Sequence, residues 1–558
     1  MQKNTFPHDV WLQIASYLPP SQIQQLLNLN STFFHIAMDG RYRQMSFAYL
    51  DNRMIRSLAR LTDPAVAKRV RILHVYPGFL MDALNCEDFD ELSFCPSSNV
   101  TSLRRTLKCR ILELALHLSL LKQPEPTHPK LRMMRLFKVK RSEDLVHLML
   151  QVLSSLPNVT DYYVSWHCAA SDFAASSSLS GGATASAAGS LLESVLMRLG
   201  DGSSLRKLCL ELSLENVRCL ISDPKAFAMH RLEELALSIH HTSYFPVEVL
   251  STHLAPAINS LHSTLRILTI QSLTPPAVDL SAMFLSLDTL SALEELSVSI
   301  PVETPHLGDP MAFRSFLKKQ SRTLKTLRMK ANRTSGTDSL SLPGVLEESF
   351  DHWVKSVFGG RPIGLEGCSI PPLHLPALKH LDITSTLFPV STSEYCLRHF
   401  HLYGSLGLNS VSLTGAYRCY EDIRDALEVF SPTSEDALSC SLGTLRKLRI
   451  GLVSLSPQLI DLIARKLPQL ERLDIIVKYI LPDVQECPEM TRMSGSQTEQ
   501  SSTQIDSFLN NVLTTRSYPD WSLRHLCILA ESLPSRTLYE PLLEQVFLTV
   551  VPGLRRVT

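Results

Sequence analysis

The apolar residues of this chain fall into one phrase that keeps returning. The pattern L-x-x-L-x-[LIVM] appears as "LRKLCL" from Leu205, "LEELAL" from Leu232, "LRILTI" from Leu265, "LEELSV" from Leu293 and "LKTLRM" from Leu324. It continues as "LKHLDI" from Leu378, "LRKLRI" from Leu445, "LERLDI" from Leu470 and "LRHLCI" from Leu523, with "LNSVSL" from Leu408 as a close variant. Weaker copies precede these at Val70 ("VRILHV"), Leu131 ("LRMMRL") and Val159 ("VTDYYV"). The last two apolar positions of each phrase are two residues apart, which puts both on one face of a strand; a helical stripe would space them by three or four. Each phrase therefore predicts a short strand.

Clear copies recur about every 25 to 37 residues, with roughly doubled gaps after Leu324 and after Leu470. Segments such as "MAFRSFLKKQSRTL" and "PQLIDLIARKLPQL" lie between them and carry helical spacing. Strand, crossover helix and next parallel strand is the predicted unit, and units of this size bury their apolar faces only by stacking. A conventional α/β domain with a parallel sheet is the competing arrangement, but ten closely similar hexapeptides are more self-similarity than it requires.

Residues that alternate with the buried leucines point to the open, concave face of such a stack. The phrases place there Lys207, Cys209 and Glu211, then Glu234, Ala236 and Ser238, then Thr326, Arg328 and Lys330. Later copies add His380, Asp382, Thr384, Lys447, Arg449, Arg472, Asp474, His525 and Cys527. Arg328, Asp382, Arg449 and Asp474 give this strip mixed charge and are the candidate partner-binding residues, since charge pattern sets specificity more than raw affinity. A merely solvated sheet face has the same composition.

A different pattern opens the chain, "FPHDVWLQIASYLPPSQIQQLLNLNSTFFHIAMD" from Phe6. Pro7 suits a first helical turn and Asp9 complements the helix dipole there. Val10, Ile14, Tyr17 and Leu18 then form one apolar stripe with Trp11 at its edge, and Pro19-Pro20 ends the helix. Ser21 and Gln24 have capping-box spacing for a second helix with Ile23, Leu26 and Leu27 on its apolar face. Ser31 is placed to cap a third short helix holding Phe33, Phe34, Ile36 and Ala37. Three short helices in about 35 residues are too few for a self-sufficient core, so some of this apolar surface needs a partner.

In their order and spacing "FPHDVWLQIASYL", the Pro-ended turn, "QIQQLLNLN" and "STFFHIA" resemble the F-box, the helical motif that docks onto a Skp-type adaptor of a cullin ubiquitin ligase. Phe6 stands where that family usually has Leu, and Phe33-Phe34 where an aromatic, often Trp, is common. The hexapeptides and the segments between them resemble the leucine-rich repeat, without the family's usual Asn or Cys after the phrase. Together they are similar to a fungal-type F-box protein with degenerate leucine-rich repeats. That implies an α/β chain: an F-box-like module over 1–40, a junction and first repeat-like unit over 41–76, and an irregular solenoid over 77–558 with outer helices.

The resemblance also implies a substrate-recognition subunit. Pro7, Val10, Ile14, Leu18, Leu26, Leu27 and Phe33 would contact the adaptor or support that contact, a cullin would join through the adaptor, and the solenoid would hold a protein substrate. The alternative is a leucine-rich-repeat interaction scaffold with no ubiquitin ligase role, its N-terminal helices capping the solenoid.

Composition narrows the remaining classes. The chain has 558 residues, 44% hydrophobic and 19% charged, with 54 Lys plus Arg against 54 Asp plus Glu. A formal charge of zero gives no field favouring nucleic acid or an anionic membrane. No run approaches the roughly 20 apolar residues of a membrane span, and the first ten residues lack a secretory core, so a cytoplasmic or nuclear protein is expected. The 12 Cys are scattered without a CxxC pair, as for reduced buried thiols rather than zinc or disulfides. Low-complexity stretches near 171–190 and 486–505 are expected to be flexible insertions.

No enzyme signature is present: no GxxxxGK[ST], GxGxxG after a strand, HExxH or GxSxG. "GGRPIGLEG" from Gly359 lacks the Lys-Ser/Thr ending of a phosphate loop, and His240-His241 at a strand end point opposite ways, a poor start for one metal. The expected protein is not an enzyme and uses no cofactor or metal.

Overall fold

The computed structural model describes residues 7–26, 28–49, 51–76, 151–153, 155–166, 204–214, 217, 229–240, 248–273, 278–301, 308–332, 343–359, 371–384, 395–400, 407–415, 417–430, 445–483, 505–510, 516–530 and 536–557. Two compact units divide the chain, Met1–Leu232 and Glu233–Thr558. The weak copy at Leu131 and the low-complexity stretch near 171–190 lie outside the described residues, as does all of 486–505 except Ile505.

The first unit opens with three helices, α1 (His8–Ser16), α2 (Pro20–Gln25) and α3 (Ser31–Tyr42). Pro7 is the N-cap of α1, and the helix stops at Ser16, before the two prolines. Pro20 starts α2 instead of ending α1, with Pro19 as a cap that makes no side-chain hydrogen bond, so the Ser21–Gln24 capping box does not form. Asn30 rather than Ser31 caps α3: its Oδ1 accepts from Phe33 N–H at 2.8 Å. With that donor satisfied, α3 runs twelve residues, through Gly40 to Tyr42.

In the junction that follows, Arg41 and Tyr42 close α3 and Gln44–Phe47 forms β1. Next come α4 (Asn52–Leu61), α5 (Pro64–Ala67) and β2 (Ile72–Val75). Asp51 Oδ1 caps α4 through Met54 N–H at 2.7 Å, and Asp63 caps α5 through Ala65 N–H at 2.9 Å with Pro64 at its first position. Met54, Ile55, Leu58 and Leu61 form the buried face of α4. An ion pair between Arg69 and Asp39, with Arg69 Nη2 2.8 Å from His35 Nδ1, ties α3 to the entry of β2. β3 (Asp161–Trp166) and β4 (Lys207–Ser213) follow among the described residues, and the four strands pair in parallel and in sequence order.

The second unit holds β5 (Glu234–His240), β6 (Ile267–Leu273), β7 (Glu295–Pro301), β8 (Thr326–Asn332), β9 (His380–Thr384), β10 (Ser410–Thr414), β11 (Lys447–Leu455), β12 (Arg472–Ile480), β13 (His525–Ala530) and β14 (Arg556–Val557). They too are parallel and follow sequence order. Every clear hexapeptide has become a strand, and each strand begins two residues after the first leucine. That leucine and the apolar residues three and five places on are buried in all ten copies. Period-two spacing thus reads out as a core on one side of the sheet.

The second residue of each phrase performs a backbone task. Glu233 O accepts from Arg266 N–H and Ile267 N–H at 2.8 and 3.0 Å, and Arg266 O from Glu294 and Glu295 N–H at 2.8 and 2.9 Å. The same forked step passes through Glu294, Lys325, Lys379, Asn409, Arg446, Glu471 and Arg524. Because an unmet buried backbone group is costly, this ladder fixes register wherever the phrase recurs, whatever the length between copies.

Helices of this unit include α6 (Ala255–Ser260), continuing a π-helical turn over Leu250–Leu254, then α7 (Ser281–Ser286), α8 (Pro310–Lys319), α9 (Pro343–Phe358), α10 (Tyr420–Glu428), α11 (Pro457–Lys466) and α12 (Arg536–Val550). Phe284 of α7 packs on Phe313 and Phe316 of α8 at 4.9 and 5.6 Å between ring centroids, and Phe313 on Trp353 of α9 at 5.7 Å. Polar side chains staple neighbouring repeats: Asn259 exchanges hydrogen bonds with Asp288, and Gln320 bonds both Leu290 N–H and Asp288 O. Arg314, buried on α8, donates to Val357 O at 2.7 Å and to Pro371 O. One irregularity falls on the strands themselves. The pairing of β11 with β12 shifts register between Ile450 and Val453, where Leu452 has φ 53°, and again between Val453 and Ser454. The first shift is a bulge that frees Leu452 O to accept from Arg418 N–H at 3.0 Å.

Candidate interaction surfaces

On the N-terminal helices the packing face is the one that the sequence places at the edge of the stripe. Trp11 sits edge-on to Phe33 with ring centroids 5.4 Å apart, and Ala15, one turn on, is buried. The adjacent face of α1 is left open: Val10 is 37% exposed, Ile14 38% and Tyr17 80%. Leu12, Leu29 and Phe34 are exposed as well. Seven-residue spacing along α1 brings Val10, Ile14 and Tyr17 onto one side, so a short helix carries an apolar strip that its own module does not cover.

The expected adaptor residues separate accordingly. Pro7, Val10 and Ile14 are exposed, Leu18 and Leu26 half-buried, and Phe33 fully inside. Leu27 lies outside the described residues. Phe33 can only support a contact, whereas Val10 and Ile14 can make one. Tyr17 completes that exposed strip, and its signal in the sequence was the i, i+4, i+7 spacing itself.

The outward face of the first unit's strands carries a small aromatic group. Register sets His74 of β2 beside Tyr163 of β3, and the two rings stack at 4.4 Å with 5° between planes. Gln44 Nε2 lies 3.1 Å from His74 Nε2, and Lys207 Nζ stands 5.8 Å from the Tyr163 ring centroid. Burial lowers the His74 pKa, and it raises that of Tyr163 against an opposing pull from Lys207.

On the second unit, Arg328, Asp382, Ser412, Arg449, Asp474 and Cys527 are successive register partners, one per strand from β8 to β13. All four candidate residues of the sequence thus fall in a single row. A parallel row holds Thr326, His380, Ser410, Lys447, Arg472 and His525. Two charges are neutralised by neighbours: Arg328 pairs with Glu295 at 3.2 Å, and Arg472 with Asp474 at 3.0 Å. Lys447 and Arg449 are exposed, and neither has an ion pair among the described residues. Burial, then the charges of Lys447, Lys379 and Arg328, hold the His380 imidazole below its ordinary range. Aligning the hexapeptides would have shown both rows; reading each copy separately does not.

Other candidates carry less. His240 ends β5 half-buried, with His241 outside the described residues. Gly359 caps α9 with φ 73° and its carbonyl accepts from Tyr395 OH, while the rest of that glycine-rich stretch is not described. A cleft of about 260 Å³ is lined by Asp461, Arg465, Tyr518 and Trp521. Its carboxylate is already engaged, accepting from Tyr518 OH and from Arg516 Nε at 2.9 Å. Among the described residues no group of three His, Cys, Asp or Glu is placed to hold a metal, and no helix is long and apolar enough to cross a membrane.

A scan against protein-family models and a search of curated proteins both find no match. Among solved structures the chain is similar to one described as a crystal structure of a TLR13–ssRNA13 complex, at 13% identity and a TM-score of 0.21. That likeness covers 69% of this chain and 55% of the other, so this chain spans about half of its length. A score so low adds nothing to the topology. The forked backbone ladder, the sequential parallel strands and the buried leucines themselves show an α/β arrangement of repeated strand units.

Proposed function

We propose that this chain is a non-catalytic receptor subunit of a Skp–cullin–F-box type ubiquitin ligase. Its N-terminal helices dock on the adaptor, and the open face of its strands holds a protein substrate. The observation that carries the proposal is the uncovered strip Val10, Ile14 and Tyr17 on a module whose inner face is already filled by Trp11, Ala15 and Phe33. A docking helix needs both: an inner face that fixes its orientation and an outer face still able to lose water. The chain itself contributes proximity. Holding substrate beside a transfer enzyme raises effective concentration with no reacting group on the receptor.

The competing reading is an interaction scaffold whose helices serve as a cap. The tie between Arg69 and both Asp39 and His35 favours it, since a cap must be anchored to the strands it shields. Co-purification of the full chain with a Skp-type adaptor decides between them. Stoichiometric adaptor supports the receptor, and adaptor absent from a folded chain leaves the scaffold.

A further inference from the structure

Between β8 and β11 the outward face has a low floor and cationic flanks. β10 contributes Ser410, Ser412 and Thr414 to it, the two serines half-buried and the threonine buried. On one side stand Arg328 of β8, paired with Glu295, and the uncharged His380 with Asp382 of β9, with exposed Lys379 at the strand's entry; on the other stand Lys447 and Arg449 of β11, which carry most of the free positive charge. Small hydroxyls below and long cations beside them leave room for an anionic chain, with donors on both flanks.

We propose that this surface binds an acidic segment of a partner protein, an extended run of Asp and Glu contacted by Arg328, His380, Lys447 and Arg449. The inference rests on the reading of the strand face as a protein-binding surface, and it is independent of adaptor docking. Spread selects the ligand. Strands lie about 4.8 Å apart, so β8 to β11 spans about 14 Å, while side chains on one face of an extended peptide repeat about every 7 Å. Two or three carboxylates match that width, and a single phosphate reaches one flank only. Nucleic acid fits poorly: no outward position of these four strands holds Phe, Tyr or Trp on which a base could stack, and the one imidazole there, His380, is half-buried. The lowered pKa of His380 agrees with this reading, because it reports a positive local potential that an anion would relieve.

The test uses the full chain without adaptor and a fluorescent peptide of roughly twelve residues with Glu at every second position, its binding followed by anisotropy. Expected is saturable binding that weakens with salt, is lost when Gln replaces Glu, and falls about tenfold in the K447E/R449E double variant. Arg322→Glu, reversing an exposed cation in the turn before β8, should leave it unchanged. Two further probes are a Gln-based peptide with one phosphoserine and an oligouridylate of equal length. Tighter binding of either, equal binding of the Gln peptide, or undiminished binding by a folded K447E/R449E chain overturns the proposal. Failure of adaptor co-purification leaves this result standing, and failure of peptide binding leaves the adaptor result standing, so the two readings fall separately.

Discussion

Replacing Ile14 by aspartate separates docking from folding, and the structure sets both magnitudes. Fully burying an isoleucine is worth about 1.5–3 kcal/mol. Ile14 retains 38% exposure, so a partner covering it gains about 1 kcal/mol from this side chain, and Ile14→Ala should weaken adaptor binding about fivefold. Aspartate adds the cost of a carboxylate held out of water with no partner, at least about 2–3 kcal/mol, and binding should drop by more than about a hundredfold. The free protein scarcely notices. An exposed substitution with a less favourable helix former near the C-terminus of α1 should cost under about 1 kcal/mol of stability. Phe33→Ala is the contrast: the ring is 2% exposed and packed 5.4 Å from Trp11, so its removal should cost about 3–5 kcal/mol and loosen the module. Titration calorimetry with purified adaptor and amide exchange over α1 to α3 read the two effects. Adaptor binding within twofold of the parent by a folded Ile14→Asp chain would refute the docking face.

Four further outcomes test the framework. Asn30→Ala removes the 2.8 Å cap on α3 and should cost about 1 kcal/mol, visible as faster amide exchange at Phe33. Leu296→Ala, at a site with 0% exposure in β7, should lower stability by about 2–5 kcal/mol in urea titration, against at most about 0.5 kcal/mol for exposed Arg322→Ala. Arg314→Met should cost about 1–3 kcal/mol, because Val357 O loses the guanidinium donor that approaches it at 2.7 Å. His399 gives the pH dependence. Burial, with Arg314 and His374 adding to it and the 2.8 Å hydrogen bond to Leu373 O opposing it, takes its pKa from 6.5 to about 4. A folded state that refuses the proton contributes its stability fully above pH 6.5 and loses it as pH falls from 6.5 to 4, by about 3 kcal/mol at most. His399→Gln, which keeps a donor and does not titrate, should flatten the urea midpoint across that window.

The strands were legible because their signal is local. A leucine, a second three places on and an apolar residue two further specify face, period and start, and Leu205 to Leu523 became strands whatever lay between them. Helix ends depended on competition between neighbours that the pattern alone does not rank. Asn30 and Ser31 are both cap-forming residues, and Asn30, one place earlier, takes the Phe33 N–H. On α1 the stripe and its edge are adjacent on the wheel, so only the position of Phe33 decides that Trp11 turns inward and Ile14 outward. Arg314 could not be assigned from its own surroundings, since its acceptors lie 43 and 57 residues away. The four candidate residues of the strand face were legible individually, whereas the flanks over β10 needed the register between copies.

In-register parallel pairing gives the second unit a ruler. Every outward row advances one strand spacing, about 4.8 Å, for each copy of the phrase, and each of β6 to β13 is hydrogen-bonded to the strands before and after it in sequence. Losing one whole copy would therefore flip no side chain and break no distant pairing. It would slide everything beyond the cut sideways by one notch and bring new flanks together: without β10, Arg449 would stand directly beside Asp382. Gain and loss of copies in such a stack re-spaces charges along a surface while the core beneath keeps its form, a route to new partners that a closed domain does not have.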